Sequence, residues 1–122
     1  RKRMFASGYR YRKNLNNITG HPDLWLRRYN TVIFVHGCFW HRHKGCKYAY
    51  TPKSRTEFWN DKFDRNIRRD QQVREKLKGD GIRILIVWEC TIKKMRKSSE
   101  TEENVMQKIQ EFLGSSAEYF EI

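Results

Sequence analysis

Two runs of apolar and β-branched residues constrain the fold of this chain more than anything else in it. Thr31-Val32-Ile33-Phe34-Val35 and the stretch from Ile82 to Trp88 offer almost no polar position for a solvent face. Such runs read as buried strands, because a half-exposed strand would alternate. Asp23 to Tyr29, with Leu24, Trp25 and Leu26 apolar, reads as a further strand. Asn30 can turn the chain there, so this strand is expected antiparallel to the run at 31–35. Between the two buried strands the pattern becomes helical: Trp59, Phe63, Ile67, Val73 and Leu77 fall on or near one face. Ser54 is the expected N-cap, with Glu57 closing a capping box, and Gly79-Asp80-Gly81 is the expected stop. A last amphipathic helix is expected over 102–113, with Val105, Ile109 and Phe112 or Leu113 facing inward. Residues 1–7 read as the end of a helix that breaks at Gly8. Tyr9 to Arg12 alternate as a half-exposed strand would, and Asn14 to Pro22 read as a loop. The whole predicts an α/β fold, a mixed central sheet flanked by helices. No internal repeat or linker interrupts it, so a single domain over 1–122 is expected.

Charge narrows the partners. The 122 residues carry a formal net charge of +12, and a compact domain so basic points to a polyanion, nucleic acid above all. Basic residues that merely solubilise the surface are the plainer alternative. The three cysteines, Cys38, Cys46 and Cys90, are odd in number, and two of them sit in a histidine-rich stretch. That excludes a secreted disulfide framework. No apolar run reaches transmembrane length and no signal peptide is visible, so no membrane association is expected. The chain starts at Arg1-Lys2-Arg3 without an initiator Met, and the expectation is that its natural N-terminus is missing.

The stretch Cys38-Phe39-Trp40-His41-Arg42-His43-Lys44-Gly45-Cys46 carries the strongest chemistry. Zinc prefers thiolate and imidazole and takes four ligands in a tetrahedron. Cys38, His43 and Cys46 can supply three from one loop, and Cys90 the fourth if its strand lies beside that loop. His41 could stand in for His43, and buried thiols beside a solvated His43 are the plainer alternative. Asp70 follows Ile67 by three residues, Phe63 by seven and Trp59 by eleven, which places it on the apolar stripe of the long helix. A carboxylate there needs a partner. His41 is one candidate, since a carboxylate fixes the tautomer of a histidine; Arg74, one turn on, is the other. Pro22-Asp23 opens one strand and Val35-His36 ends its neighbour, so a carboxylate and a backbone carbonyl could share a magnesium ion. The Asp/Glu-x-Lys segment of many restriction enzymes occurs nowhere in the chain, so a histidine would have to handle protons. Phe39, Trp40 and Trp59 adjoin the basic loops. They could wedge between base steps or lie in the core.

Several segments together resemble the very-short-patch-repair endonuclease family: Gly20-His21-Pro22-Asp23, Val32 through His41, Arg55-Thr56-Glu57-Phe58-Trp59, Arg69-Asp70, and Ile84 through Cys90. The resemblance spans roughly residues 8–113. It implies a restriction-endonuclease-like fold and an enzyme that nicks double-stranded DNA beside a thymine–guanine mismatch left by deamination of 5-methylcytosine. It implies that Asp23, with the carbonyl of Val35, binds magnesium, and that His41 is the general acid/base oriented by Asp70. It further implies that His36 stabilises the phosphate, that Cys38, His43, Cys46 and Cys90 hold structural zinc, and that Phe39, Trp40 and Trp59 enter the DNA stack. Departures are Val35, where the family commonly has Thr, and one extra residue before Cys46, which Gly45 could absorb. The family's N-terminal arm and the acidic residue of its first helix have no counterpart here. A monomer in the bacterial cytoplasm, on nucleoid DNA, is expected. Two rivals are a restriction or homing endonuclease of the same fold acting on matched DNA, and a catalytically silent zinc-containing DNA-binding module.

Overall fold

Alternation with a period of two turns the two apolar runs into two separate cores. The structure is a computed structural model that describes residues 8–13 and 17–122. Its strands are β1 (Arg12–Lys13), β2 (Leu24–Leu26), β3 (Thr31–His36), β4 (Arg83–Trp88) and β5 (Tyr119–Glu121). Its helices are α1 (Thr56–Gly79), α2 (Glu89–Lys97) and α3 (Ser99–Leu113). The five strands lie in chain order across one sheet. β1, β2 and β3 are antiparallel neighbours, whereas β3, β4 and β5 run parallel, so the sheet is mixed, as expected.

On one face Ile33, Leu85 and Val87 pack with Leu24 and Leu26 against Val105, Met106, Ile109, Phe112 and Leu113 of α3. On the other face Val32, Phe34, Ile84, Ile86 and Trp88 pack with Leu77 of α1. Both faces of β3 and β4 are therefore covered, which is why their sequences do not alternate with polar residues. Arg83, the polar member of the second run, sends its guanidinium to the carbonyls of Tyr29, Phe112, Leu113 and Ala117 and so ties the end of α3 to the sheet.

Several element boundaries differ from the sequence reading. The strand expected over 23–29 ends at Leu26, and Arg27–Tyr29 form a 3₁₀ turn closed by Asn30 in the left-handed region. The strand at 9–12 appears only as Arg12–Lys13. The helix expected over 1–7 lies outside the described residues. Ser54 does not cap α1: Arg55 takes that position with φ +53°, and no side chain bonds the first turn. The helix stop is as expected. The N–H groups of Gly81 and Ile82 bond the carbonyls of Lys78 and Leu77 at 3.0 and 2.9 Å, and Gly81 adopts φ +74°, a Schellman ending that glycine permits. Glu89 and Cys90 do not extend β4 but begin α2, whose Ile92 and Met95 pack on the core. α3 starts at Ser99, because the Ser98 hydroxyl accepts from the Thr101 N–H at 3.2 Å. Among the described residues no helix is long and apolar enough to cross a membrane.

Candidate active site and metal cluster

The sheet face beneath α1 carries the site. His36 shares that face with Val32 and Phe34, and Tyr119 and Glu121 share it through their register with Ile84 and Ile86. A groove of about 750 Å³ opens between this face and α1, and Asp23, Val35, His36, His41 and Asp70 all line it. The structure thus brings together the five residues singled out for phosphodiester chemistry.

Asp23 stands just before β2. Its Oδ2 accepts the N–H of Val35 at 2.7 Å, and its own N–H donates to the Ile33 carbonyl at 3.0 Å. The carboxylate is therefore clamped to the end of β3. Its second oxygen receives no protein donor among the described residues, which leaves a hard ligand of the kind magnesium takes. Gly20 sets the approach of this segment. It adopts φ +82°, and a Cβ there would lie 2.5 Å from Val73 Cγ1 and 3.1 Å from Phe34 Cζ. Left-handed strain and overpacking together predict that Gly20→Ala costs about 2–5 kcal/mol of stability. Urea unfolding measures this; an unchanged midpoint would contradict it.

His41 Nδ1 and Asp70 Oδ2 lie 2.8 Å apart. Of the two partners open to Asp70, the structure selects His41 and not Arg74. His36 stacks on His41 with ring centroids 3.8 Å apart and planes 7° from parallel. Burial, and next the adjacent His41, lower the pKa of His36 to about 4, so at neutral pH it is a neutral imidazole. The donor atoms of His36, His41 and Asp70 lie within 4.8 Å of one another. Parallel stacked rings, however, aim their nitrogen lone pairs side by side rather than at one point, and Asp70 already occupies Nδ1 of His41.

The second cluster is Cys38, His43, Cys46 and Cys90, again within 4.8 Å. Register explains their meeting. β3 and β4 pair in parallel with His36 opposite Trp88, and Cys38 and Cys90 each come two residues later. His43 Nδ1 lies 3.6 Å from Cys38 Sγ and 3.5 Å from Cys90 Sγ. Tetrahedral bonds of about 2.3 Å to sulfur and about 2.0 Å to nitrogen separate those ligands by about 3.5 Å, so the donor set fits a tetrahedral ion. His43, rather than His41, is the imidazole in it. Trp88 stacks on His43 at 4.1 Å and meets His36 edge-on at 5.4 Å, so one indole separates the two clusters. Gly45 takes φ +72° in this loop, a conformation that glycine adopts without strain.

Phe39, Trp40 and Trp59 form one aromatic cluster with centroids 5.1–6.0 Å apart. Trp40 is 44% exposed, with Lys62 Nζ 5.2 Å from its ring centroid, and Phe39 and Trp59 are half-buried. Phe58, given no role in the sequence reading, and Tyr50, passed over there, are exposed beside them. Arg42 was also missed. Its guanidinium lies 3.8 Å over the Phe63 ring and donates to the carbonyls of Phe39, Ala49 and Tyr50. That cage holds the histidine-rich loop in shape, and no sequence period reveals it. Tyr119 and Glu121 of the groove were likewise not singled out.

A mixed α/β sheet with a carboxylate and a His–Asp pair in one groove, beside a Cys₃His cluster, defines a nuclease domain of the restriction-endonuclease-like class. Comparison with known proteins gives the family. The family model described as DNA mismatch endonuclease Vsr matches residues 1–48. The chain is 38% identical to the DNA mismatch endonuclease Vsr of Escherichia coli K12 over 116 residues, covering 93% of this chain and 72% of that protein. It is 44% identical over 93 residues to a type II nicking enzyme of Neisseria meningitidis, covering 76% of this chain and 66% of that protein. A type II nicking enzyme of Xanthomonas oryzae is 39% identical over 92 residues, covering 75% and 67%. The chain belongs to the Vsr family of DNA endonucleases. It spans about two thirds of the length of the first two nicking-enzyme relatives.

Proposed function

We propose that this protein is a magnesium-dependent endonuclease that nicks one strand of double-stranded DNA beside a thymine–guanine mismatch. The observation that carries this reading is the hydrogen-bonded His41–Asp70 pair sharing one groove with the clamped carboxylate of Asp23. Asp23, with the Val35 carbonyl, would hold magnesium. When bound, that ion polarises a phosphodiester and eases departure of the sugar oxygen. Cys38, His43, Cys46 and Cys90 would hold zinc with no open position, which is the mark of a structural site.

The chain's own residues supply the proton handling. Nδ1–H of His41 donates to Asp70, which leaves Nε2 as the ring nitrogen that can accept a proton. It takes a proton from the attacking water as oxygen bonds to phosphorus and the bond to the leaving sugar oxygen breaks. His36, neutral, offers an N–H to a phosphate oxygen. The protein's basic surface supplies the salt-sensitive part of DNA binding. Trp40, backed by Phe39 and Trp59, wedges into the stack, and weaker pairing at a mismatch lowers the cost of entering there. In this reading the enzyme acts as a monomer in the bacterial cytoplasm, where its DNA is.

The experiment is incubation with labelled duplexes that carry either a thymine–guanine mismatch, in several sequence contexts, or the matched pair, with magnesium and then with chelator. The expected result is a magnesium-dependent nick in the mismatched duplex alone, lost in Asp23→Ala. Cleavage of matched DNA replaces mismatch repair with a restriction or homing activity. Binding without cleavage replaces it with a silent zinc-containing module.

A further inference from the structure

Three guanidinium groups line the active groove, and they are not equivalent. Arg42 is caged by backbone carbonyls. Arg69 donates to Asn66 Oδ1 at 2.7 Å, and Asn66 in turn holds the Trp40 carbonyl. Arg74 has no such anchor. One turn after Asp70, it would ordinarily pair with that carboxylate, but Asp70 is engaged by His41. Arg74 instead lies over the ring of Tyr119, its guanidinium carbon 3.6 Å from the centroid. Among the described residues nothing accepts a hydrogen bond from it and no carboxylate lies in ion-pair range. Its platform is well held. Tyr119 pairs with Ile84 across the sheet. Burial, then the neighbouring Glu121, push its phenol up to about 12, so the ring stays neutral.

A guanidinium stacked on an aromatic face keeps its plane fixed and its N–H fork free at the edge. Fixed donors without an acceptor, in a groove that holds hydrolytic residues, suit a planar bidentate grip on an oxyanion. We propose that Arg74, laid on Tyr119, is a phosphate-binding residue of this groove and holds a phosphodiester of the DNA strand next to the one attacked. This rests on the nuclease reading for the identity of the strand. The Tyr119 platform places the contact on β5, at the opposite side of the groove from Asp23.

The test is fluorescence anisotropy of a labelled duplex titrated with the full chain from about 50 to about 200 mM salt. One lost phosphate contact lowers the slope of log affinity against log salt by about 0.9, so the deficit of Arg74→Gln shrinks about 3.5-fold across that range. Arg74→Lys, which keeps the charge but not the fork, retains the slope at reduced affinity. Tyr119→Leu weakens binding and Tyr119→Phe restores it, because the ring and not the hydroxyl is the platform. Lys108→Gln, an exposed charge on α3 away from the groove, leaves the slope as it is. An unchanged slope in Arg74→Gln overturns the proposal, as does an equal fall in Lys108→Gln or a wild-type chain that binds no DNA. Failure of the nuclease reading looks different. Wild-type protein would then bind without nicking while the slope still falls in Arg74→Gln, which supports the phosphate contact.

Discussion

Replacement of His41 by alanine is expected to slow nicking of mismatched DNA by about 10²- to 10⁴-fold, the usual contribution of a positioned general base. DNA affinity should stay nearly unchanged. Nδ1 of His41 is 2.8 Å from Asp70 Oδ2, so the opposite nitrogen is the one left to accept a proton. Asp70→Asn should lose much of the same factor without losing the hydrogen-bonded shape, because an amide that donates to Nδ1 stabilises the wrong tautomer. Groups that act as a unit are not additive, so the double variant His41→Ala/Asp70→Asn should be about as slow as His41→Ala alone. Single-turnover rates with enzyme in excess separate this from binding. A His41→Ala protein that cuts at the wild-type rate removes His41 from the chemistry.

Cys90→Ser is expected to lower zinc content and melting temperature together. Cys90 is the only one of the four cluster donors that does not come from the loop after β3, and it leads α2 instead. Zinc bound by these four side chains cross-links the ends of two parallel strands, and binding that requires the folded site contributes to folding. Loss of even about 2 kcal/mol would lower the melting temperature of a domain of this size by roughly 5–15 °C. Metal analysis of the purified protein, beside calorimetry with and without chelator, measures both quantities. A variant with full zinc stoichiometry and unchanged melting would show that Cys90 is not a ligand. The two predictions are separable: His41→Ala should retain zinc and melting temperature.

The two histidines of the loop show what could and could not be read in advance. Donor types and spacing made Cys38, His43 and Cys46 a metal-binding set, yet left His41 as a substitute for His43. Only the backbone path, which carries His43 towards Cys90 and His41 towards α1, separates them. Asp70 is similar. Its place on the apolar stripe demanded a partner, but helical spacing always keeps Arg74 within reach, whereas His41 is 29 residues distant in the chain. The missed elements have a common cause. β5 is three residues long and has little character apart from its pairing with β4. α2 follows β4 with no turn signal between, and its basic residues hide the two apolar positions that pack.

By itself the sequence determined that β3 and β4 are buried on both faces, that helices cover a mixed sheet, and that one loop is rich in metal donors. These follow from local periodicity and side-chain chemistry, which act within a few residues. The tertiary structure alone decided which donors meet, since the parallel register of β3 with β4 sets Cys38 beside Cys90. It also decided that Asp70 holds His41 and that Arg74 is left to Tyr119. Those choices depend on contacts between elements far apart in the chain, whose energies no single segment contains.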